Sequence, residues 1–154
     1  AQLCDPLLSG QALRIVYASG LTPHRLTIEI TEDAAIDNPA AANDSIQAFR
    51  RAGFGIALDD FGSGHASFDR LSHLEIDQLK IDRTLVQAMD KERGRKLVAG
   101  IVNLGRTLSM HITAEGIETA EQARFAREAN CNWGQGYLYG EAVSAQSALK
   151  LTMR

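Results

Sequence analysis

Residues 56–68 read IALDDFGSGHASF. An apolar run ends in two adjacent carboxylates, Asp59 and Asp60, and a loop with Gly62 and Gly64 comes next. Like charges side by side repel, and burial strengthens the repulsion. The stretch therefore reads as a strand that delivers acids to a loop. The fold turns on whether other strands do the same.

Working outward, RLTIEITE (25–32) alternates, with Leu26, Ile28 and Ile30 on one side and Thr27, Glu29 and Thr31 on the other. That is a strand period. FGIALDD (54–60), DQLKID (77–82), HITAEGIE (111–118) and CNWGQGYLY (131–139) read as further strands. Helices are predicted between them. One covers 5–20, with Asp5 as N-cap, Pro6 in the first turn and Gly20 as the stop. A second covers 37–53, capped at Asn38 with Pro39 next and ended by Gly53. A short one covers 66–74. Leu97, Ile101, Leu104 and Leu108 recur at helical spacing across 93–109. Thr119 and Gln122 form a capping box ahead of 120–129, and 144–151 is the last helix. The rhythm is α, then βα five times. It predicts an α/β fold with about five parallel strands, right-handed crossovers and helices outside. No linker or low-complexity run interrupts it, so residues 1–154 are expected to be one domain.

Composition narrows the class. With 45% hydrophobic and 23% charged residues, the chain has the make-up of a soluble globular protein. A net charge of −3 gives no electrostatic basis for binding a nucleic-acid polymer. No apolar run reaches membrane-spanning length, so no membrane contact by this segment is expected, and the expected compartment is the cytoplasm, with a parent protein free to be membrane-tethered. Cys4 and Cys131 have no ligand spacing and read as reduced, buried thiols. The four histidines show no HxxxH or HxH pattern.

The chemistry emerges when the strands are aligned. At or near their C-terminal ends stand Glu29 and Glu32, Asp59 and Asp60, Lys80 and Asp82, Glu115 and Glu118, and Gln135. Sites in parallel α/β folds form at that end. Taken singly, each residue also has a plain structural reading: Asp59-Asp60 as a helix cap, Glu29 as the solvent side of a strand, Lys80 as a solvated lysine, Glu115-Gly116 as a turn, Gln135 as loop filler. Recurrence in five units favours one shared site. Four or more carboxylates meeting there need a cation, and oxygen-only ligands favour Mg²⁺, Mn²⁺ or Ca²⁺ over zinc. Two such ions about 3.5–4 Å apart are the usual apparatus of phosphodiester hydrolysis. Lys80 is suited to stabilise phosphate charge or orient the attacking water.

IEITE (28–32), LDDFGSGHASF (58–68), LKIDR (79–83), AEGIET (114–119) and QGYLY (135–139), in that order, resemble the EAL domain family. These are bacterial phosphodiesterases that open cyclic di-GMP to linear pGpG. The resemblance implies a TIM-like (β/α) barrel and two Mg²⁺ or Mn²⁺ ions. It implies metal ligation by Glu29, Asp59, Asp60 and Glu115, with Asp59 bridging the ions. By the same likeness, Lys80 and Gln135 are catalytic and face the hydrolytic water, and Glu32 braces the loop after Asp60. Phe61, Gly62 and Glu118 are implied at the substrate.

The departures shape the expectations. The family's Glu-Ala-Leu glutamate and the asparagine of its next strand, both ligands of the first metal, are not in these residues. Ala1-Gln2-Leu3 resembles the segment directly after that asparagine strand. The chain is therefore expected to be an incomplete EAL-type domain, a partial barrel with the N-terminal three strands absent, inactive alone. His65 and Ala66 replace residues common in the loop, and GEAV stands after Tyr139 in place of Arg-Pro. Open sheet edges and an uncovered apolar interior would favour a homodimer or other self-association. The function expected is a cyclic di-GMP phosphodiesterase, with sensory or GGDEF-type domains as companions in a parent chain. The alternative is a non-catalytic module that binds cyclic di-GMP or a protein.

Overall fold

A computed structural model describes residues 3, 5, 7–37, 39–63 and 74–152. Five strands form one parallel sheet in chain order: β1 (Thr27–Thr31), β2 (Gly55–Phe61), β3 (Gln78–Ile81), β4 (His111–Ala114) and β5 (Trp133–Gly134). Between and around them run α1 (Leu8–Ala18), α2 (Glu32–Asp37), α3 (Pro39–Arg51), α4 (Arg83–Gln87), α5 (Glu92–Thr107), α6 (Ala120–Glu128) and α7 (Ala145–Thr152).

Strand period and helix period meet on one face of the sheet. Ile30, Ile56, Leu58, Leu79, Ile81, Ile112 and Ala114 are buried in a single core with Ile46 and Phe49 of α3 and Val98, Ile101 and Val102 of α5. In-register neighbours share a face, so Thr27, Glu29, Thr31, Ala57, Asp59, Gln78, Lys80, His111, Thr113 and Trp133 occupy the other. That second face is largely polar. The expectation of an uncovered apolar interior is corrected here. Exposed apolar side chains gather elsewhere, in Leu7, Ile15 and Tyr17 by α1 and in Tyr137, Leu138 and Tyr139 after β5, with Trp133 the exception on the polar face.

Several predicted boundaries move. Asp5 is not the N-cap of α1. That place is held by Leu7, whose amide donates to Asp5 Oδ1 at 2.9 Å. Glu32 opens α2 instead of ending a strand. The strand predicted over 111–118 stops at Ala114, because Gly116 turns at φ +68°. The one predicted over 131–139 keeps two residues. Helix α4 has no counterpart among the predicted elements. Asp82 caps it, accepting the Thr84 amide at 2.8 Å. The capping box at Thr119 and Gln122 forms as expected. Asn38, Cys4, Pro6, Gly64, His65, Ala66 and nearly all of the helix predicted over 66–74 lie outside the described residues. Cys131 is a free, half-buried thiol whose pKa burial pushes up to about 11, which makes it a poor nucleophile.

Behind the sheet, α5 begins hard against the turn that precedes it. A β-carbon on Gly94 would lie 1.9 Å from the Ala88 carbonyl oxygen. Gly94→Ala must displace backbone, and overpacking of this kind costs about 1–3 kcal/mol. A denaturant midpoint unchanged from wild type would contradict this packing.

Candidate metal centre

The acidic pair stands where β2 departs from regular geometry. Leu58 pairs with Leu79 and Phe61 with Ile81, so three steps of β2 match two of β3. The extra residue is a β-bulge, and Asp60 takes φ +57° within it. Simple alternation would put Phe61 on the face of Asp59. The bulge returns it to the opposite face, where it is 2% exposed and packs in the core. Phe61 is thus a core residue, which corrects its expected place at the substrate.

Lys80 rises from the middle of β3 on the polar face and is 5% exposed. Its Nζ lies 2.8 Å from Glu29 Oε1, 2.9 Å from Asp59 Oδ1 and 2.9 Å from Glu115 Oε1. β1, β2 and the segment directly after β4 thereby converge on one ammonium group. Burial works against its charge, but the hydrogen bonds it donates to Glu29, Glu115 and Asp59 prevail and raise its pKa above the ordinary lysine value. Lys80 stays charged, and the solvated-lysine reading is set aside.

One ammonium does not balance four carboxylates. Asp59, Asp60 and Glu115 each offer an oxygen within 4.8 Å of the others. The Asp60 carboxyl is pushed up by burial and then by the charges of Asp59 and Asp82. Glu115 is also pushed up, by burial first; Lys80 pulls it down, and Asp59 and Glu29 push it further up. The site therefore carries more negative charge than its own lysine neutralises.

The remaining candidates fall around this centre. Glu32 is 4% exposed, and its Oε2 accepts the Gly62 amide at 3.1 Å. Gly62 has φ +93°, and a β-carbon there would meet Leu85 Cδ1 at 2.3 Å. Gln135 is exposed and is brought beside β4 by its amide, which donates to the Ala114 carbonyl at 2.9 Å. Glu118 stands on the rim with Gln87 Nε2 at 3.3 Å and Arg83 Nη2 at 3.9 Å. Those two rim partners had no sequence signal, since both belong to the unexpected α4. Asp82 is occupied in capping that helix.

The EAL domain model matches residues 1–142. The chain belongs to the EAL domain family. RocR of Pseudomonas aeruginosa, named a cyclic di-GMP phosphodiesterase, is 36% identical over 150 residues, which is 97% of this chain and 38% of RocR. The structure of PaMucR phosphodiesterase in complex with c-di-GMP superposes with a TM-score of 0.90 at 33% identity, over 96% of this chain and 60% of that one. A manganese and cy-diGMP complex of Klebsiella pneumoniae BlrP1 superposes with a TM-score of 0.82 at 30% identity, over 87% and 34%. This EAL chain spans less than two thirds of the length of each. Its five-stranded sheet is a partial TIM-like barrel with helices on the outside.

The shifts give a pH dependence. Asp60 and Glu115 bind protons more tightly in the folded EAL chain than at their ordinary values of 3.8 and 4.5. Their contribution to stability is present below those values and is lost as pH rises through the raised ones. Glu115→Gln removes one of the two. Between about pH 4 and about pH 7 in metal-free buffer, the variant should lose less stability than wild type. Denaturant midpoints at both pH values check this, and an equal loss counts against it.

Proposed function

We propose that this EAL chain is the metal-binding part of a cyclic di-GMP phosphodiesterase that hydrolyses cyclic di-GMP to pGpG. The observation that carries the reading is the convergence of Asp59 and Asp60 of β2 with Glu115 after β4 within 4.8 Å, beside Lys80 of β3 and Glu29 of β1. The donor set fits Mg²⁺ or Mn²⁺: it is all oxygen, and four carboxylates face a single lysine. In this proposal Asp59, Asp60 and Glu115 would hold one cation, and Asp59 and Glu29 would contribute to a second. Divalent cations held there supply charge neutralisation and Lewis acidity toward a phosphodiester.

The chain's own groups do the rest. Lys80 stays protonated; its three N–H donors are held by Glu29, Asp59 and Glu115 here, and one would turn to a phosphate oxygen or to the attacking water once bound cations draw those carboxylates away. Glu32, through the Gly62 amide, holds the loop that leaves Asp60. Gln135 lines the site near the attacking water. Glu118 and Gly62 stand at the substrate's margin. Cyclic di-GMP is the partner this site fits. Sensory or GGDEF-type domains belong to the same proposal, on the ground that the relatives are much longer than this chain. A cytoplasmic location accords with a cytosolic dinucleotide substrate, and no helix among the described residues is long and apolar enough to cross a membrane.

The test is hydrolysis of cyclic di-GMP by this chain, and by a longer polypeptide carrying it, with Mg²⁺ or Mn²⁺. The longer form should yield pGpG. Glu115→Gln should lower kcat at least about 100-fold, since even outer-shell substitutions at metal sites cost 10–100-fold. Turnover untouched by that substitution or by chelation sinks the proposal. Binding without turnover marks the non-catalytic module instead.

Self-association is a separate part of the proposal. Among the described residues β1 and β5 each have one unpaired edge, and Tyr137, Leu138 and Tyr139 are exposed after β5. Sedimentation of this chain should show mass rising with concentration. A concentration-independent monomer refutes it.

A further inference from the structure

The loops that carry Glu115 and Gln135 meet backbone to backbone. The Ile117 amide donates to the Gln135 carbonyl at 2.9 Å, and the Leu138 amide donates to the Ile117 carbonyl at 3.0 Å. Gly136 lies directly against Ile117. A β-carbon at Gly136 would be 2.1 Å from the Ile117 carbonyl oxygen and 2.3 Å from its amide nitrogen. No side-chain rotation relieves such a contact, because both colliding atoms are main chain.

Ile117 has little room to yield. It is fully buried. Its loop is fastened at the start by the Glu115 amide, which donates to the Ile81 carbonyl at 3.1 Å. At the far end, Gln122 Oε1 accepts the amides of Glu118 at 2.9 Å and Thr119 at 3.1 Å. Gly134, on the other side of Gln135, differs in kind. A β-carbon there would meet Ile117 Cδ1 at 2.7 Å and Tyr139 Oη at 3.1 Å, both at the ends of side chains.

We propose that Gly136 is a positioning residue: its contact with the Ile117 backbone locks the Glu115 loop and the Gln135 loop into one unit and so places Glu115 for the cation. This rests on the metal reading above. Any side chain at position 136 pushes the Ile117 backbone, and Glu115 shifts with it. A methyl at position 134 displaces the tips of two side chains and leaves Glu115 in place.

The test is Mn²⁺ binding by electron paramagnetic resonance, with a melting curve for each protein, on wild type, Gly136→Ala, Gly134→Ala and Glu115→Gln. Gly136→Ala should bind Mn²⁺ at least about tenfold more weakly, in the range of outer-shell changes at metal sites. Gly134→Ala should melt lower yet keep wild-type affinity. Glu115→Gln should also bind weakly. If Glu115→Gln binds like wild type, the metal reading falls. If Glu115→Gln is weakened but folded Gly136→Ala is not, the positioning role alone falls. Equal weakening in Gly134→Ala also overturns it, because general destabilisation then accounts for both. Should Gly136→Ala not fold, hydrogen exchange of wild type decides. Mg²⁺ should slow exchange in residues 135–139 together with 115–118, and both effects should vanish in Glu115→Gln. Slowing confined to 115–118 overturns the inference.

Discussion

A buried ammonium group held by three carboxylates organises this structure. Lys80 cannot sit alone in its place, since an unpaired buried charge is strongly destabilising. Glu29, Asp59 and Glu115 come from three other segments and each reaches it within 2.9 Å. The ion pairs thus tie β1, β2 and the end of β4 to the centre of β3. The same contacts gather more negative charge than one lysine offsets. A single arrangement therefore braces the sheet and leaves it with an appetite for divalent cations.

The bulge in β2 makes the arrangement possible. Two consecutive residues of a regular strand point to opposite faces. Asp59 and Asp60 both serve the acidic cluster because Asp60 occupies an extra position with left-handed backbone. The bulge also restores Phe61 to the core face, beside Ile81. Strain at the site and packing beneath it are two results of one inserted residue, which fits the tendency of bulges to re-aim side chains near functional sites.

Much of this is legible in the sequence. Period-two alternation in RLTIEITE and period-3.6 spacing from Leu97 to Leu108 are local signals, and both elements form. The capping box at Thr119 is local chemistry and forms as well. Helix α4 escapes a sequence reading because five residues are too few to show a period, and its cap, Asp82, resembles one more acid at a strand end. Strand ends are overrun at β4 and β5, where pairing registers and Gly116 set the limits. The partners of Glu118 go unseen for the same reason as α4.

The residue types themselves determined that this chain builds a parallel sheet with acids at one end of its strands. Hydrophobic periodicity and the order of elements are properties of neighbouring residues, so the sequence carries them directly. Tertiary structure alone decided that Lys80 is buried among Glu29, Asp59 and Glu115, that Phe61 faces the core, and that Gly136 seats against Ile117. Those facts depend on register, on one bulge and on contacts between residues far apart in the chain, none of which has a local period to announce it.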